Sequence, residues 1–244
     1  MAVHGFRIDQ VPKRIEFRIF ESRSAAASAA SDLLAALIRK GLATDPAAQA
    51  SLVVSGGSTP GPCFDHLSAE VLDWSRVIVV PSDERWVPDN DPDSNEGLIK
   101  RRLLQDQAGA ARVLSLYRSG IEAVQAPLLI EPDLMNLSQP FSAALLGMGE
   151  DGHFASLFPD FDGLQSALDP ESQVACTMVQ TAGSPHLRIS LTLSALLNCV
   201  HTVLLIYGEA KRSVFESAYR GGSAYPVEAL LHHARAPLTV MWAP

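Results

Sequence analysis

The run from Arg76 to Val80, RVIVV, constrains the fold of this chain more than any other feature. It is almost continuously β-branched, which is typical of a strand in a parallel sheet that is buried on both faces. Other runs rich in large apolar residues predict further strands at 16–20, 51–54, 113–117, 143–146, 174–179, 187–191, 202–207 and 237–242. The chain therefore has enough strands to build a large sheet.

Segments with helical periodicity separate most of these strands. Helices are predicted at 24–41, from 60 through 67, at 96–104, 192–199 and 209–219, and from 226 onward. Alternation of strands with helices predicts an α/β fold with a mostly parallel sheet covered on both faces. Residues 118–140 contain several prolines and give no clear pattern. Because no repeat or linker interrupts the chain, we expect residues 1–244 to form one domain.

Composition excludes several classes of function. The formal net charge of −8 argues against general nucleic-acid binding, which needs a basic surface. The three cysteines are far apart in the chain and form no CxxC or Cys/His cluster, so we predict no metal site and reduced thiols.

Neither a secretion signal nor a membrane span is predicted. The N-terminal residues MAVHGFRIDQVPKRIEF contain no apolar core that a cleavage site follows. The alanine-rich stretch from 25 to 38 is too short to cross a bilayer and is interrupted by Ser31 and Asp32. We expect a soluble cytoplasmic protein without membrane partners.

The stretch from Ala143 to Pro159, AALLGMGEDGHFASLFP, joins a buried strand to a glycine-rich turn and to a segment expected to begin a helix. Glycines let the backbone turn sharply and let a ligand approach closely. A helix start would add unpaired N–H groups and a partial positive charge. His153 lies at this junction beside Glu150 and Asp151. The pattern predicts a ligand site, and the alternative is a chain reversal with a surface histidine.

A second glycine-rich turn, SGGSTP at 55–60, follows the strand at 51–54. Gly56 and Gly57 open the backbone, the hydroxyls of Ser58 and Thr59 can donate, and Pro60 suits the first turn of a helix. These features predict phosphate binding, and the alternative is a plain strand-to-helix turn. The turn lacks the lysine of a Walker A motif and the second glycine of a nucleophile elbow.

The segment SDERWVP at 82–88 follows the RVIVV strand, where ligands bind in open α/β sheets. Its carboxylates and Arg85 form a structural salt bridge, or a carboxylate acts as a base beside Arg85, which then binds an anion. Whether Asp83 contacts a ligand or holds Arg85 is left open. The following DNDPDSNEG departs from the calcium-binding EF-hand pattern. We interpret it as a loop whose residues 93–95 (Asp93, Ser94, Asn95) cap the next helix.

Two later cations follow or occupy strand ends. Arg188 lies in PHLRISLT, and Lys211 follows the predicted strand at 202–207. Each alone is more often a surface cation than a ligand. Together with a phosphate-type turn, they predict a cage that completes a phosphate site.

The turn GMGEDG at 147–152 also matches G-x-G-x-x-G, a dinucleotide-binding pattern. Glu150 and Asp151 would place negative charge beside a pyrophosphate. The acidic residues about 20 positions later lie in a proline turn and not at a strand end. We therefore do not predict a nucleotide cofactor.

The motifs SGGSTP, SDERWVP with DSN, LLGMGEDGHFASLFP, RISLT and GEAK, in this order and spacing, resemble the glucosamine-6-phosphate isomerase/6-phosphogluconolactonase family. The resemblance covers about residues 15–242. It implies a Rossmann-like three-layer α/β/α sandwich and no organic cofactor. It also implies the lactonase activity of the family, hydrolysis of 6-phospho-D-glucono-1,5-lactone to 6-phosphogluconate in the oxidative pentose phosphate pathway. Phe154 replaces the small polar residue usual in the family, and its effect on the size or polarity of the site is left open.

Motif positions in the family imply roles for individual residues. The loop Gly56, Gly57, Ser58 and Thr59, together with Arg188 and Lys211, would hold the phosphate, and Arg85 would lie near the substrate, with Asp83 as a further candidate. His153 would be the catalytic base. The expected partner is a phosphorylated sugar lactone, bound by a monomer or a small homo-oligomer.

Lactone chemistry suits these residues. A δ-lactone is an activated ester, so its hydrolysis needs a base, stabilisation of an oxyanion and a proton for the ring oxygen. A neutral histidine, with a reference pKa of about 6.5, can take and return that proton. Backbone N–H groups between Gly149 and Gly152 are candidates for the oxyanion site. Asp151 either orients His153, if the pair lies in the turn, or caps the helix.

Two alternatives stay open. The deaminase branch of the family has a glutamate five positions after the histidine, where this chain has Phe158, and an apolar ring cannot relay protons. A non-catalytic sugar-phosphate sensor would need the cage of Ser58, Arg188 and Lys211 but not His153. Because the chain has both the cage and the histidine, the sequence favours an enzyme.

Overall fold

Seven parallel strands form the central sheet of the structure, a computed structural model that describes residues 14–244. They are β1 (Ile15–Ile19), β2 (Ala50–Val54), β3 (Val77–Pro81), β5 (Arg112–Val113), β6 (Ala143–Leu146), β9 (Thr202–Tyr207) and β10 (Leu238–Ala243). Their order is β1-β10-β9-β6-β2-β3-β5, and every neighbouring pair is parallel. The prediction about a secretion signal rests largely on residues 1–13, which lie outside the described residues.

Eight α-helices occur among residues 14–244. They are α1 (Arg23–Leu42), α2 (Gly61–Ser68), α3 (Asn95–Arg102), α4 (Ala126–Met135), α5 (Leu164–Ala167), α6 (Leu193–Leu197), α7 (Glu209–Arg220) and α8 (Val227–His232). None of the helices in this part of the chain is both long enough and apolar enough to cross a bilayer.

Successive residues of the buried strands pack into different cores. Leu52 of β2 and Leu145 of β6 pack with side chains of α1, α2 and α3 on one face. Their neighbours Val53 and Leu146 pack on the other face, with side chains of α4, α6, α7 and α8. Because adjacent residues of a strand point to opposite faces, this alternation gives a helix–sheet–helix arrangement. The structure confirms the α/β fold and the three layers that the resemblance implies.

A second, antiparallel sheet lies beside the first. It consists of β4 (Asp83–Arg85), β8 (Arg188–Leu191) and β7 (Cys176–Val179), with β8 in the middle. Its register places Arg85 of β4 opposite Arg188 of β8. The sequence predicted the two later strands but assigned the polar residues of β4 to a loop.

Two regions differ from the sequence-based expectation. The segment after His153 is not the start of a helix: Phe154 and Leu157 form an isolated bridge, and the next helix, α5, begins only at Leu164. Positive φ angles of 76° at Gly152 and 49° at Ala155 interrupt helical geometry here. The unreadable stretch at 118–140 contains α4, a helix that includes Pro132.

Candidate active site

A cavity of about 250 Å³ opens where β2, β3, β6 and β9 end. Loops that follow parallel strands converge at this edge of an open sheet, which is where ligands bind in such folds. The cavity is lined by Ser55, Gly56, Gly57, Ser58, Thr59, Asp83, Arg85, Asn95, Gly147, Met148, Gly149, His153, Ala155, Arg188 and Lys211. Nine of the ten predicted site residues are among them, and the tenth, Asp151, contacts His153.

The turn after β2 presents its backbone and two hydroxyls to the cavity. Gly57 has a φ of 85°, a conformation that glycine adopts without steric cost. Pro60 precedes the first residue of α2, as the sequence predicted. Within residues 14–244 the hydroxyls of Ser58 and Thr59 have no protein partner at hydrogen-bond distance. This turn can therefore donate to an anion without first breaking an internal hydrogen bond.

Asp83 holds Arg188 and not Arg85. Its carboxylate accepts hydrogen bonds from the hydroxyl of Ser82 at 3.0 Å and from the hydroxyl of Ser156 at 2.6 Å. The guanidinium of Arg188 lies 3.8 Å from the same carboxylate and donates to Ser156 at 3.5 Å. The sequence left open whether Asp83 contacts a ligand or holds Arg85. The carboxylate contacts Arg188 instead of Arg85, and Asp83 also lines the cavity.

Arg188 is a largely buried cation. Burial lowers the pKa of its guanidinium, Asp83 opposes that effect, and the neighbouring charge of Arg85 lowers the pKa further. The guanidinium also lies 5.2 Å from the centre of the Phe158 ring. A buried cation with incomplete compensation favours the binding of an anion beside it.

Arg85 is held through one of its terminal nitrogens. Its Nη1 donates to the backbone carbonyl of Asp93 at 2.6 Å and to the side-chain oxygen of Asn95 at 3.1 Å. Its Nε is buried and has no hydrogen-bond partner among the described residues. Arg85 and Arg188 therefore bring two positive charges to the same wall of the cavity.

His153 lies in the turn after β6, and Asp151 contacts it directly. The His153 Nδ1 is 2.6 Å from the Asp151 carboxylate, which also accepts from the His153 backbone N–H at 3.2 Å. Since no helix begins here, the prediction of a helix dipole at His153 is wrong, and Asp151 caps no helix. The contact is possible because both residues lie in an irregular turn, where residues two apart can face one another.

Two of the backbone N–H groups proposed for an oxyanion site are already occupied. The Gly149 N–H donates to the carbonyl of His153 at 2.9 Å, and the Gly152 N–H donates to the carbonyl of Gly149 at 3.1 Å. Only the amides of Glu150 and Asp151 remain available within this turn. The hypothesis that the whole turn binds an oxyanion is corrected accordingly.

Lys211 lies in the first turn of α7 and lines the cavity. Burial lowers the pKa of its ammonium group, and Glu150 and Asp151 partly oppose that effect. No carboxylate among the described residues lies within 4.0 Å of its nitrogen. Lys211 is thus a third cation that lines the cavity, and unlike Arg188 it forms no salt bridge in this part of the chain.

Comparison with known proteins places this geometry in a family. The model of the family described as glucosamine-6-phosphate isomerases/6-phosphogluconolactonase matches residues 21–242. The chain belongs to this family. A 6-phosphogluconolactonase of Pseudomonas aeruginosa is 39% identical to it, with 92% of this chain and 91% of that protein covered. Another, from Mesorhizobium japonicum, is 43% identical over 80% of this chain and 82% of its own length.

A solved structure gives the same family assignment. The crystal structure of a 6-phosphogluconolactonase from Shewanella baltica is similar to this chain, with a TM-score of 0.90 and 34% sequence identity. The likeness covers 96% of this chain and 100% of that structure. The resemblance that the sequence motifs carry is therefore confirmed at the level of the family.

Phe154 departs from the family pattern without entering the cavity. Its side chain is 1% exposed and packs into the core on the α7 face of the sheet. Phe154 is absent from the cavity lining, whereas its neighbours His153 and Ala155 are present. Phe154 therefore forms no wall of the cavity, because the backbone turn directs its side chain inward.

The sequence analysis did not assign two side chains, Asn95 and Ser156, to the site. Asn95 was predicted only to cap a helix, but Ser94 makes the cap and Asn95 lines the cavity. Ser156 bridges Asp83 and Arg188 from the segment that was expected to be helical. The DSN and ASLFP motifs contain both residues, but only the three-dimensional arrangement separates a cap from a cavity wall.

The acidic loop before α3 uses its carboxylates within the protein. Asp89 pairs with Lys100, the Asp91 side chain accepts from the Asp93 N–H, and the Asp93 side chain lies 3.0 Å from His186. Among residues 14–244 no group of three or more His, Cys, Asp or Glu side chains has the arrangement of a metal site. The three cysteines are buried and unpaired, and burial raises the pKa of each thiol to about 12.

Proposed function

We propose that this protein is a 6-phosphogluconolactonase that hydrolyses 6-phospho-D-glucono-1,5-lactone to 6-phosphogluconate in the oxidative pentose phosphate pathway. The observation that carries the proposal is the pairing of His153 with Asp151 at a cavity that also holds Arg85, Arg188 and Lys211. An acid–base group beside several cations suits an electrophile that carries a phosphate. The names of the similar proteins support the same activity. A cytoplasmic location is part of this proposal.

The phosphate is assigned to the loop from Gly56 to Thr59 together with Arg188 and Lys211. The loop offers free hydroxyls and an open backbone. Both cations are partly buried: Arg188 lies 3.8 Å from the Asp83 carboxylate, and Lys211 has no carboxylate within 4.0 Å among the described residues. Charge-assisted hydrogen bonds from such groups are roughly twice as strong as neutral ones. Binding at the phosphate holds the lactone ring in the remainder of the cavity, where His153 lies.

His153 acts as the general base. With its Nδ1–H donating to Asp151, its Nε2 is free to take a proton from water. The water oxygen then bonds to C1 of the lactone, and the carbonyl becomes an oxyanion. Collapse of this intermediate breaks the bond between C1 and the ring oxygen, which receives the proton from His153. The carboxylic acid formed at C1 ionises, and no covalent intermediate with the protein is required.

A deaminase would need a proton relay beside the histidine at the position of Phe158. The Phe158 ring lies instead 4.3 Å from the His153 ring, centre to centre, and offers no titratable group. We therefore assign lactone hydrolysis and not sugar-ring opening to this site. Release of ammonia from glucosamine 6-phosphate would contradict that assignment.

The test is acid release from freshly prepared lactone, measured against its spontaneous hydrolysis. The wild type should accelerate hydrolysis, and His153→Ala should lower kcat by about 10²–10⁴-fold because general acid–base catalysis contributes that much. His233→Ala, an exposed histidine outside the cavity, is the matched control and should keep the wild-type rate. A folded His153→Ala protein with unimpaired turnover would falsify the mechanism. A sensor without activity would bind 6-phosphogluconate but leave the lactone to hydrolyse spontaneously.

A further inference from the structure

The side chain of Asn95 fills the space that Gly56 leaves open. Asn95 is 2% exposed and lies in the wall of the cavity between the loop at 56–59 and β4. A Cβ atom at Gly56 would lie 1.8 Å from its side-chain oxygen, far inside van der Waals contact. Gly56 is therefore required for space, and the two residues set the separation between the loop and β4.

Asn95 uses both ends of its amide on β4. Its Nδ2 donates to the backbone carbonyl of Asp83 at 2.8 Å, and its Oδ1 accepts from Arg85 Nη1 at 3.1 Å. The first bond fixes the orientation of the amide, so that the oxygen must face the guanidinium. The guanidinium is thus held by Nη1, while its buried Nε has no partner among residues 14–244.

The backbone of Asn95 is itself anchored. The carboxylate of Glu84, which is fully buried, accepts from the backbone N–H of Asn95 at 2.7 Å and from that of Glu96 at 2.6 Å. It also accepts from the Ser94 hydroxyl at 3.0 Å and from the Arg85 N–H at 2.8 Å. A side chain that starts from so constrained a backbone has little freedom to follow a moving partner.

We infer that Asn95 is a positioning residue that holds the Arg85 guanidinium in the cavity at a set distance from the loop at 56–59. It acts through Arg85, which then binds the anionic substrate. The inference rests on the proposed function for the identity of that substrate. Loss of Asn95 should weaken the binding of anions and leave the proton transfers at His153 nearly intact.

Kinetics of Asn95→Ala, Arg85→Ala and the double variant test the inference. Asn95→Ala should raise KM for the lactone and the dissociation constant for 6-phosphogluconate by about tenfold, as expected for a lost hydrogen bond to a charged group. Its kcat should stay within about threefold of the wild type. In the Arg85→Ala background the same substitution should add little, because its effect passes through Arg85. Asn198→Ala, an exposed asparagine outside the cavity, is the matched control.

Gly56→Ala provides a second test, in which neither Asn95 nor Arg85 is substituted. The added methyl group should displace the Asn95 side chain and produce the same rise in KM. In the Asn95→Ala background it should cost much less, because the obstructing atoms are absent. If Asn95→Ala does not fold, Gly56→Ala and the Arg85→Ala background carry the test.

Three results would overturn the inference. The first is that the effects of Asn95→Ala and Arg85→Ala on KM add up in the double variant. The second is an Asn95→Ala protein with a lowered melting temperature but with the KM and the 6-phosphogluconate binding of the wild type. The third is a wild type that binds neither 6-phosphogluconate nor inorganic phosphate by calorimetry. If the wild type binds these anions but does not hydrolyse the lactone, the proposed function fails. The inference about Asn95 is then still tested, because the single and double variants can be compared through their dissociation constants for 6-phosphogluconate.

Discussion

His153 and Asp151 form a contact in which one carboxylate oxygen serves both the ring and the backbone of the histidine. Because an ionised carboxylate only accepts hydrogen bonds, this geometry favours the tautomer with the proton on Nδ1 and leaves Nε2 for the base role proposed above. Because both side chains are partly exposed, solvent screening reduces the strength of the pair. Asp151 should therefore tune the base without being indispensable.

Substitution of Asp151 by asparagine tests this role. Asp151→Asn keeps the size of the side chain but removes its charge, so we expect kcat to fall by about tenfold with a small change in KM. The measurement is kcat and KM for the freshly prepared lactone, beside the melting temperature. A variant that loses only thermal stability and retains the wild-type kcat would show that Asp151 is structural.

At the scale of single residues, the sequence predicted the identity of the site better than its connections. His153 was recognisable from its glycine-rich turn, and Arg188 and Lys211 from their positions in the motifs of the resembled family; all three line the cavity. The partner of Asp83 was not predictable, since Arg85 is its neighbour in sequence while Arg188 reaches it across a strand pair. The double use of Asn95 was equally hidden.

At the scale of elements, the start of α3 depends on a carboxylate from another element. Glu84 accepts three hydrogen bonds there, from the Ser94 hydroxyl and from the backbone N–H groups of Asn95 and Glu96. A fourth comes from the Arg85 N–H within β4, and burial raises the pKa of Glu84 while the backbone N–H groups lower it in part. This anchor joins β4 to α3 and so determines where Arg85 and Asn95 lie. Its strength should be measurable as stability of the protein.

Glu84→Gln should lower the free energy of unfolding by about 1–3 kcal/mol, because one amide nitrogen would face backbone N–H donors that cannot reorient. The measurement is the urea unfolding midpoint. Glu96→Gln, the same substitution in the first turn of α3, removes an ion pair with Lys100 and should cost less than about 1 kcal/mol. Equal losses in the two variants would contradict the anchoring role.

Elements were predictable where periodicity is strong. The buried strands β2, β3, β6 and β9 lie within about one residue of their predicted bounds. Short, continuous apolar runs rich in β-branched residues favour a buried strand over other structures. The short strand β4 was missed, since three polar residues carry no periodicity. The helix expected after His153 was wrong because the positive φ angles at Gly152 and Ala155 depend on the surrounding packing. The side chain of Tyr225, for example, leaves no room for a Cβ atom at Gly152.

At the scale of the whole molecule, His201 links two neighbouring strands of the large sheet. Its Nε2 lies 2.9 Å from the hydroxyl of Thr239, between the start of β9 and β10. Burial lowers the pKa of this imidazole, Arg18 lowers it further, and Glu16 opposes them. The folded protein therefore binds fewer protons at His201 than the unfolded chain near neutral pH.

That difference predicts a loss of stability on the acid side. The contribution of His201 is present above the unfolded pKa of about 6.5 and is lost as the pH falls through the lower pKa of the folded state. The melting temperature should drop between about pH 7.5 and about pH 5.5, and His201→Gln should show a smaller drop. The same pH dependence in both proteins would assign the loss to other groups.

The architecture of the whole chain followed from the alternation of strands and helices, which the structure confirms. The presence of a second sheet was not predicted. Its three strands are short and of mixed polarity, and nothing in their sequence indicates that they pair with one another and not with the main sheet. That residues 1–244 form one domain stays a prediction.

The register of the small sheet has a consequence for anion binding in the cavity. Arg85 and Arg188 lie directly opposite each other on β4 and β8. Like charges in opposing positions of a sheet repel and weaken the strand pairing. An anion bound between them, as the proposed function requires, would neutralise that repulsion, and part of its affinity would then come from relief of a conflict within the protein itself. The ligand would thus strengthen the strand pairing that forms this wall of the cavity.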